Sequence, residues 1–549
     1  MTSGRRCKRP NWKMWLRISG GRYLLTVFHT SDLTTGSLKY QFRFTSSLGP
    51  FLIAMVAVIP DPRLMLRLLL PIFVSTVLAS EKPNIIVIIA DDHRYDFLSC
   101  HPEAPDFLET PNLDRMAKEG AHLKNAFVTT SLCSPSRASI LTGQYMHHHR
   151  VIDNQRSVPE GTRFYPEYLQ TSGYRTAMIG KWHMGHDNDE PRKGFHHWVS
   201  FQGQGSYFDQ TLNINGERHE QKGYTADRLT DQAIAWLNSD RGDKEAPFMM
   251  HLAFKSVHYP FQPAKRHHGK YQGKKIDYPE TMANSEENYA TQSRWIRERR
   301  YGIHGVDHME TGAFDKDPVP SFDDLYWRFC ETVHGLDENV GRILNHLDES
   351  GLSKNTIVLY LGDNGFHLGE HGFYDKRDAF EHSIRVPLLA YAPGQIEAGT
   401  KIEEIILNID LAPTLLEFAG IKKPSNTPPF DGFSFKHLLD ESGSDKPWRD
   451  HLLYEYHWEW NFPATPTLFA IRTDRYKFIY YHGLWDKNGL YDLKTDPQER
   501  HNLIDVPAFA KRKEALKKQL FSELQASGAL EVPIRPPKGE PLHDRKLRR

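Results

Sequence analysis

From Pro83 onward, short continuous apolar runs alternate with amphipathic segments, the pattern of an α/β protein with a large, mostly parallel sheet and helices on both faces. Asn84 to Ala90 (NIIVIIA) is a β-branched run that ends in Asp91-Asp92, and Thr356 to Leu361 (TIVLYL) ends in Gly362-Asp363-Asn364-Gly365. Thr176 to Ile179 leads into Gly180-Lys181-Trp182-His183, and Phe248 to Phe254 leads into Ser256-Val257-His258. In open α/β sheets the carboxyl ends of parallel strands line the ligand crevice, so polar groups set just after four such strands are expected to converge.

Between Tyr259 and Phe322 the chain is rich in Arg, Lys, His, Tyr and Gly with little periodicity, which predicts a long surface excursion that shapes a pocket. A polar stretch at Asp440 to Asp450 (DESGSDKPWRD) breaks the pattern. Beyond it, strand-like segments at Leu452 to Trp458, Thr467 to Arg472 and Tyr476 to Tyr481, then a helix over about Ala508 to Ala526, predict a smaller C-terminal antiparallel sheet with one helix. The expected organisation is a main domain over 82–440, a C-terminal α+β subdomain over 441–530, and a basic, flexible tail over 531–549.

At the front, the apolar run from Met65 to Ala79 follows Arg63, contains Arg67 and ends in small residues, as a signal peptide does; an N-terminal anchor is the alternative. Residues 1–64 are basic and read as aperiodic, so Met65 is the expected true start and 1–64 a non-native or disordered extension. Export to a secreted or periplasmic location follows, with no stable membrane insertion.

Composition narrows the partners. Lys plus Arg and Asp plus Glu both number 69, so no global field draws in nucleic acid or a membrane surface, and affinity for an anion has to be local. The four cysteines, Cys7, Cys100, Cys133 and Cys330, fit neither a disulfide framework nor a zinc site.

The sharpest segment is Cys133-Ser134-Pro135-Ser136-Arg137-Ala138-Ser139-Ile140-Leu141-Thr142-Gly143. Pro135 suits the first position of a helix and Gly143 its end, which puts Cys133 at or just before a helix N-terminus, where backbone NH groups and the dipole favour an anion. Arg137, one turn on, adds a positive fork. Asp91, Asp92, Asp363 and Asn364 offer only hard oxygen ligands from two strand ends, suited to calcium or magnesium. Taken singly each pair is an ordinary turn; at two matching strand ends they point to a metal. The adjacent His147, His148 and His149 point in different directions and read as loop residues.

These residues resemble the signature of the type I, formylglycine-dependent sulfatases, Cys-x-Pro-Ser-Arg followed by Leu-Thr-Gly. The resemblance implies an alkaline phosphatase-like sulfatase fold and oxidation of Cys133 to formylglycine by a formylglycine-generating or anaerobic sulfatase-maturing enzyme. It also implies one calcium ion held by Asp91, Asp92, Asp363 and Asn364, with residue 133 completing the shell. The hydrated aldehyde would attack sulfur, and its second hydroxyl would then expel sulfate. Arg137, Lys181, His183, His258 and Lys376 match the family's basic shell. His258 assisted by Lys376 is nominated as the proton donor to the leaving sugar oxygen and His183 as the base, although the two histidines are interchangeable on sequence grounds.

Within the family the chain is most similar to N-acetylglucosamine-6-sulfatases, through Tyr207 to Gly216, Tyr224 to Leu237, Asp375-Lys376-Arg377 and Tyr454-Glu455-Tyr456, which implies a sulfated carbohydrate substrate. His367, His371, Arg377, Glu455 and His457 are candidate substrate contacts, the last two within Tyr454 to Trp460 (YEYHWEW). The rival readings are a sulfatase for another polysaccharide, a phosphodiesterase or phosphonate hydrolase of the same superfamily, and a silent carbohydrate-binding relative that would lack part of this constellation.

Overall fold

The computed structural model describes residues 82–185, 188–239, 246–302, 304–309, 321–440, 447–533 and 536, together with the backbone of four strands within 12–53. The candidate signal segment 65–79 and most of the tail beyond 533 lie outside the described residues. The chain forms two units, 1–81 and 82–549.

In the first unit β1 (Trp12–Ile18), β2 (Gly21–Asp32), β3 (Ser37–Ser46) and β4 (Gly49–Ile53) pair as an antiparallel meander. This differs from the aperiodic extension expected there. The alternation of Leu38, Tyr40, Phe42 and Phe44 with Lys39, Gln41, Arg43 and Thr45 is a period-2 signal that a reading focused on basic charge passes over.

The second unit is built on an eleven-stranded sheet. Its strands are β5 (Asn84–Ala90), β6 (Ala121–Phe127), β7 (Arg175–Gly180), β8 (His197–Ser200), β9 (Thr211–Ile214), β10 (Glu217–Glu220), β11 (Phe248–Ala253), β12 (Thr356–Gly362), β13 (Arg385–Val386), β14 (Leu388–Tyr391) and β15 (Thr400–Leu407). The spatial order is β10-β9-β8-β7-β11-β5-β12-β14-β6-β13, with β15 also on β6. The run from β8 through β12 is parallel throughout, and antiparallel strands flank it.

β5 shows why this sheet is central. Ile85, Val87 and Ile89 pack on one face with α2 (Cys133–Thr142), α3 (Tyr165–Thr171) and α6 (Leu411–Phe418). Ile86 and Ile88 pack on the other with α1 (Pro111–Glu119), α4 (Thr225–Asn238) and α5 (Phe322–Glu349). A strand covered on both faces needs no polar alternation, hence its unbroken apolar run.

After Tyr259 most residues from 265 to 287 are exposed, as the expected surface excursion requires, and the stretch that follows turns inward. Trp295, Ile296 and Arg299 are buried, and the Arg299 guanidinium pairs with Asp375, so aromatic and arginine side chains anchor the segment beside the Asp375–Arg377 loop.

Four antiparallel strands, β16 (His451–Tyr456), β17 (Leu468–Thr473), β18 (Tyr476–Tyr481) and β19 (Gly489–Asp492), form a second, smaller sheet toward the C-terminal end, followed by α7 (Ala510–Ser527). A buried charge network ties it to the short helix Glu381–Ile384 that leads into β13: Lys477 lies 2.8 Å from Glu381 and 2.7 Å from Glu499, and Arg472 lies 3.0 Å from Glu381. Lys477→Met would leave two buried carboxylates facing each other, and is expected to destabilise the protein by about 3–5 kcal/mol in denaturant titration.

Candidate active site

The polar groups that follow four parallel strands do converge. Beyond β5, Asp91 and Asp92 are fully buried, and beyond β12 so are Asp363 and Asn364; the Asp92 amide donates to Asp363 Oδ1 at 3.0 Å. Asn364 Nδ2 donates to Asp92 Oδ1 at 2.6 Å, binding the two strand ends together. At the end of β7, Gly180 has φ +112°, and a Cβ there would lie 1.9 Å from the Ala253 carbonyl. Only glycine permits that approach, and it brings the Lys181 amide onto the same carbonyl at 2.8 Å.

α2 begins at Cys133 itself and closes on Gly143, which is left-handed at φ 68°; Pro135 falls within the first turn, where its missing amide costs nothing. Every residue of the helix is buried. The Cys133 thiol lies 3.3 Å from Asp91 Oδ1 and 3.1 Å from Lys376 Nζ, so nucleophile candidate and carboxylates share one cleft. The Ser134 amide is taken by Asn154 Oδ1 at 3.0 Å.

Three cations are paired with the three acids. Arg137 lies on Asp363 at 2.8 Å and donates to the Lys181 carbonyl at 2.9 Å, while Lys181 and Lys376 sit on Asp91 and Asp92. Burial raises Asp92, and burial together with Asp91 pushes Asp363 up to about 7. Against that same burial, Lys181 and the neighbouring cations hold Asp91 well below the usual carboxylate range. Burial, reinforced by Asp91, pushes the Cys133 thiol up to about 12, so the unmodified cysteine is a protonated, weak nucleophile at neutral pH. His183 and His258 are both driven well below an ordinary imidazole, first by burial and then by Lys181 and Lys376 respectively, and are neutral.

The acids fit a hard cation by a direct observation: Asp92 Oδ2 and Asn364 Oδ1 are buried with no hydrogen-bond partner. Two orphaned oxygens from two strand ends, beside further buried carboxylates, form an oxygen-only donor set of the kind calcium takes. Asp91, Asp92, Cys133 and His258 bring ligand atoms within 4.8 Å of one another.

The candidate substrate contacts separate into three groups. Arg377 is buried, paired with Asp375 at 2.7 Å and Glu459 at 2.8 Å, and stacked 3.6 Å over Phe462. His367 belongs to a cluster with Asp378 at 3.0 Å, Glu370 and His382, and His371 stacks on Phe380 at 4.0 Å. Glu455 is fully buried and engages His147 at 3.0 Å, while His457 packs on Phe469. The three adjacent histidines form a short helix, Met146–His149, rather than a loop, and they take separate partners: Glu455, Asp431 and Ser139.

Three site residues escaped the sequence reading. Gln204 accepts from Lys181 at 2.5 Å, Tyr207 donates to the His258 carbonyl at 2.5 Å, and Lys255 is a buried lysine at the end of β11. The strand-end rule that picks out His258 reaches Lys255 three residues earlier; Gln204 stands on an irregular loop that carries no such signal, and Tyr207 opens the Tyr207-to-Gly216 segment without being marked within it as a site residue.

Positive charge gathered around a buried nucleophile position, with a hard-cation cradle below it, is the layout of a hydrolase that cleaves esters of a strong oxyanion. The family model described as Sulfatase matches residues 83–421, and one described as N-sulphoglucosamine sulphohydrolase, C-terminal, matches 369–526. A Bacteroides thetaiotaomicron N-acetylglucosamine-6-O-sulfatase is 34% identical over 504 residues, covering 81% of this chain and 87% of its own. The chain belongs to the sulfatase family and is a sulfuric ester hydrolase. A solved structure of a protein with its substrate D-glucosamine-2-N,6-O-disulfate superposes with a TM-score of 0.74 at 31% identity, over 82% of this chain and 99% of that one. A phosphonate monoester hydrolase from Silicibacter pomeroyi shares the fold, with a TM-score of 0.68 at 22% identity over 81% of this chain and 96% of its own.

Proposed function

We propose that the protein removes 6-O-sulfate from N-acetylglucosamine residues of glycans, using formylglycine made from Cys133 and one calcium ion. The observation that carries this reading is the 34% identity to an N-acetylglucosamine-6-O-sulfatase across most of both chains. The structural relative whose named substrate bears a 6-O-sulfate on glucosamine points the same way.

Asp91, Asp92, Asp363 and Asn364 would hold the calcium, which supplies polarisation of a sulfate oxygen. Formylglycine, as its hydrate, supplies an oxygen nucleophile with a second hydroxyl for sulfate release. With those carboxylate oxygens on a cation, Lys181 and Lys376 would be free to face the sulfate, and Arg137 on Asp363 would remain a fixed positive charge. His183, buried and neutral, suits the base.

His258 suits the acid. Its side chain is 17% exposed, the most open of the basic shell, which supports a role on the side where a leaving sugar would depart. Its Nδ1 faces the Tyr259 carbonyl at 2.6 Å; a carbonyl only accepts, so Nδ1 carries a proton and Nε2 is the atom that exchanges one. The negative charge of an arriving sulfate ester favours protonation there.

Export through 65–79 and conversion of Cys133 by a maturing enzyme complete the reading. It is tested on matured protein by sulfate release from 6-sulfated N-acetylglucosamine, with galactose 6-sulfate, sulfated uronic acid and an aryl phosphate in parallel. The 6-sulfated aminosugar is expected to be the best substrate. Release only from galactose or uronic acid positions would overturn the specificity, and preference for the phosphate would overturn the chemistry.

A further inference from the structure

The cations of the site are not all matched. Arg137, Lys181 and Lys376 each lie on a carboxylate. Lys255 is as secluded as they are, at 4% exposure, yet among the described residues no carboxylate lies within ion-pair reach of it. Its ammonium rests instead 4.9 Å from the centre of the Tyr207 ring.

Strand register fixes where that ammonium stands. β11 lies between β7 and β5, and Ala253 pairs with Gly180 on one side and Ile89 on the other. Lys255 follows Ala253 by two residues just as Asp91 follows Ile89, so it stands level with Asp91, on the strand between Asp91 and Lys181. The Asp91 amide donates to the Ser256 carbonyl at 2.8 Å, and the His258 amide donates to the Lys255 carbonyl at 3.0 Å, so Lys255 and His258 rise from one turn. Tyr207 is fixed beneath both, its ring under the ammonium and its hydroxyl on the His258 carbonyl.

A buried ammonium with no counter-ion is costly to fold, and a ring face compensates it only in part. The charge stands close enough to Asp91, Asp92 and Cys133 to feel their fields, without an ion pair to any of them, and so has room for an anion. We infer that Lys255 is a further catalytic residue of the sulfatase reaction, one that contacts the oxygens of the substrate's sulfate group from the β11 side. The inference rests on the sulfate-ester reading of this site.

The test compares matured full-length wild type with Lys255→Met and Lys255→Arg, with formylglycine and calcium contents verified for each. The methionine variant is expected to lose about 10²–10³-fold in kcat/KM on 4-nitrophenyl sulfate. It is also expected to bind inorganic sulfate at least about 10-fold more weakly by calorimetry, and the arginine variant to regain most of that binding. Its melting temperature should be equal to or above that of wild type, because an uncompensated buried charge has been removed. Wild-type kcat/KM and sulfate affinity in Lys255→Met would overturn the inference, as would a loss of activity with a lowered melting temperature and unchanged sulfate binding. Sulfate binding is read without turnover, so a wild-type enzyme inert toward every sulfate ester would sink the proposed function separately.

Discussion

Cys133→Ala is expected to leave a folded protein whose kcat on sulfate esters falls at least about 10⁴-fold, the scale of removing a nucleophile from a preorganised site. The side chain is fully buried at the start of α2, between Asp91 and Lys376, and no other nucleophile among the described residues is placed on that spot. Loss of one sulfur from a packed position costs some stability, but the helix start is held by other contacts, including Asn154 on the Ser134 amide. The thiol is also protonated at neutral pH, so protein made without a maturing enzyme should be nearly as inactive as the alanine variant. Peptide mass spectrometry of the 133 segment alongside kinetics checks both statements. Full activity in a chain whose residue 133 is quantitatively a thiol would remove the formylglycine mechanism.

Removing the proposed calcium by chelation is expected to cost about 10³-fold or more in activity, to lower the melting temperature, and to be reversed by calcium addition. Buried like charges explain the stability effect: burial and Asp91 raise Asp363, so a cation that binds only the folded state relieves the crowding. At a calcium concentration about 100 times its Kd, the gain is about 2.7 kcal/mol. Asn364→Leu removes one of the two orphaned oxygens without changing charge, and should weaken calcium binding at least about 10-fold by titration calorimetry. Unchanged affinity in that variant would take Asn364 out of the ligand set.

Much of this centre was legible in the sequence because it obeys local rules. The continuous apolar runs at 84–90 and 356–361 name strands buried on both faces, and each ends in the acids that line the crevice. The Cys133-to-Gly143 segment shows its helix start, its αL stop and its chemistry in eleven residues. What was not legible depends on contacts across long stretches of chain. The pairing of His147 with Glu455 joins residues 308 apart, and nothing in either neighbourhood announces the other. The burial of Arg299 under the Asp375 loop is likewise a tertiary result, since a segment with that many charges reads as solvent-facing until its carboxylate partner is known. Lys255 was missed because a single strand-end lysine resembles a solvated one, and only burial without a carboxylate partner among the described residues sets it apart.

The seclusion of α2 also sets an order of events. Any protein that must grip the Cys133 segment to oxidise it needs that stretch extended and accessible, and once the sheet has closed over residues 133–142 no macromolecule can reach them. The oxidation proposed here therefore has to be finished on the nascent or still unfolded chain. Adding a converting enzyme to natively folded cysteine-form protein would come too late, whereas the same addition during refolding from denaturant would not.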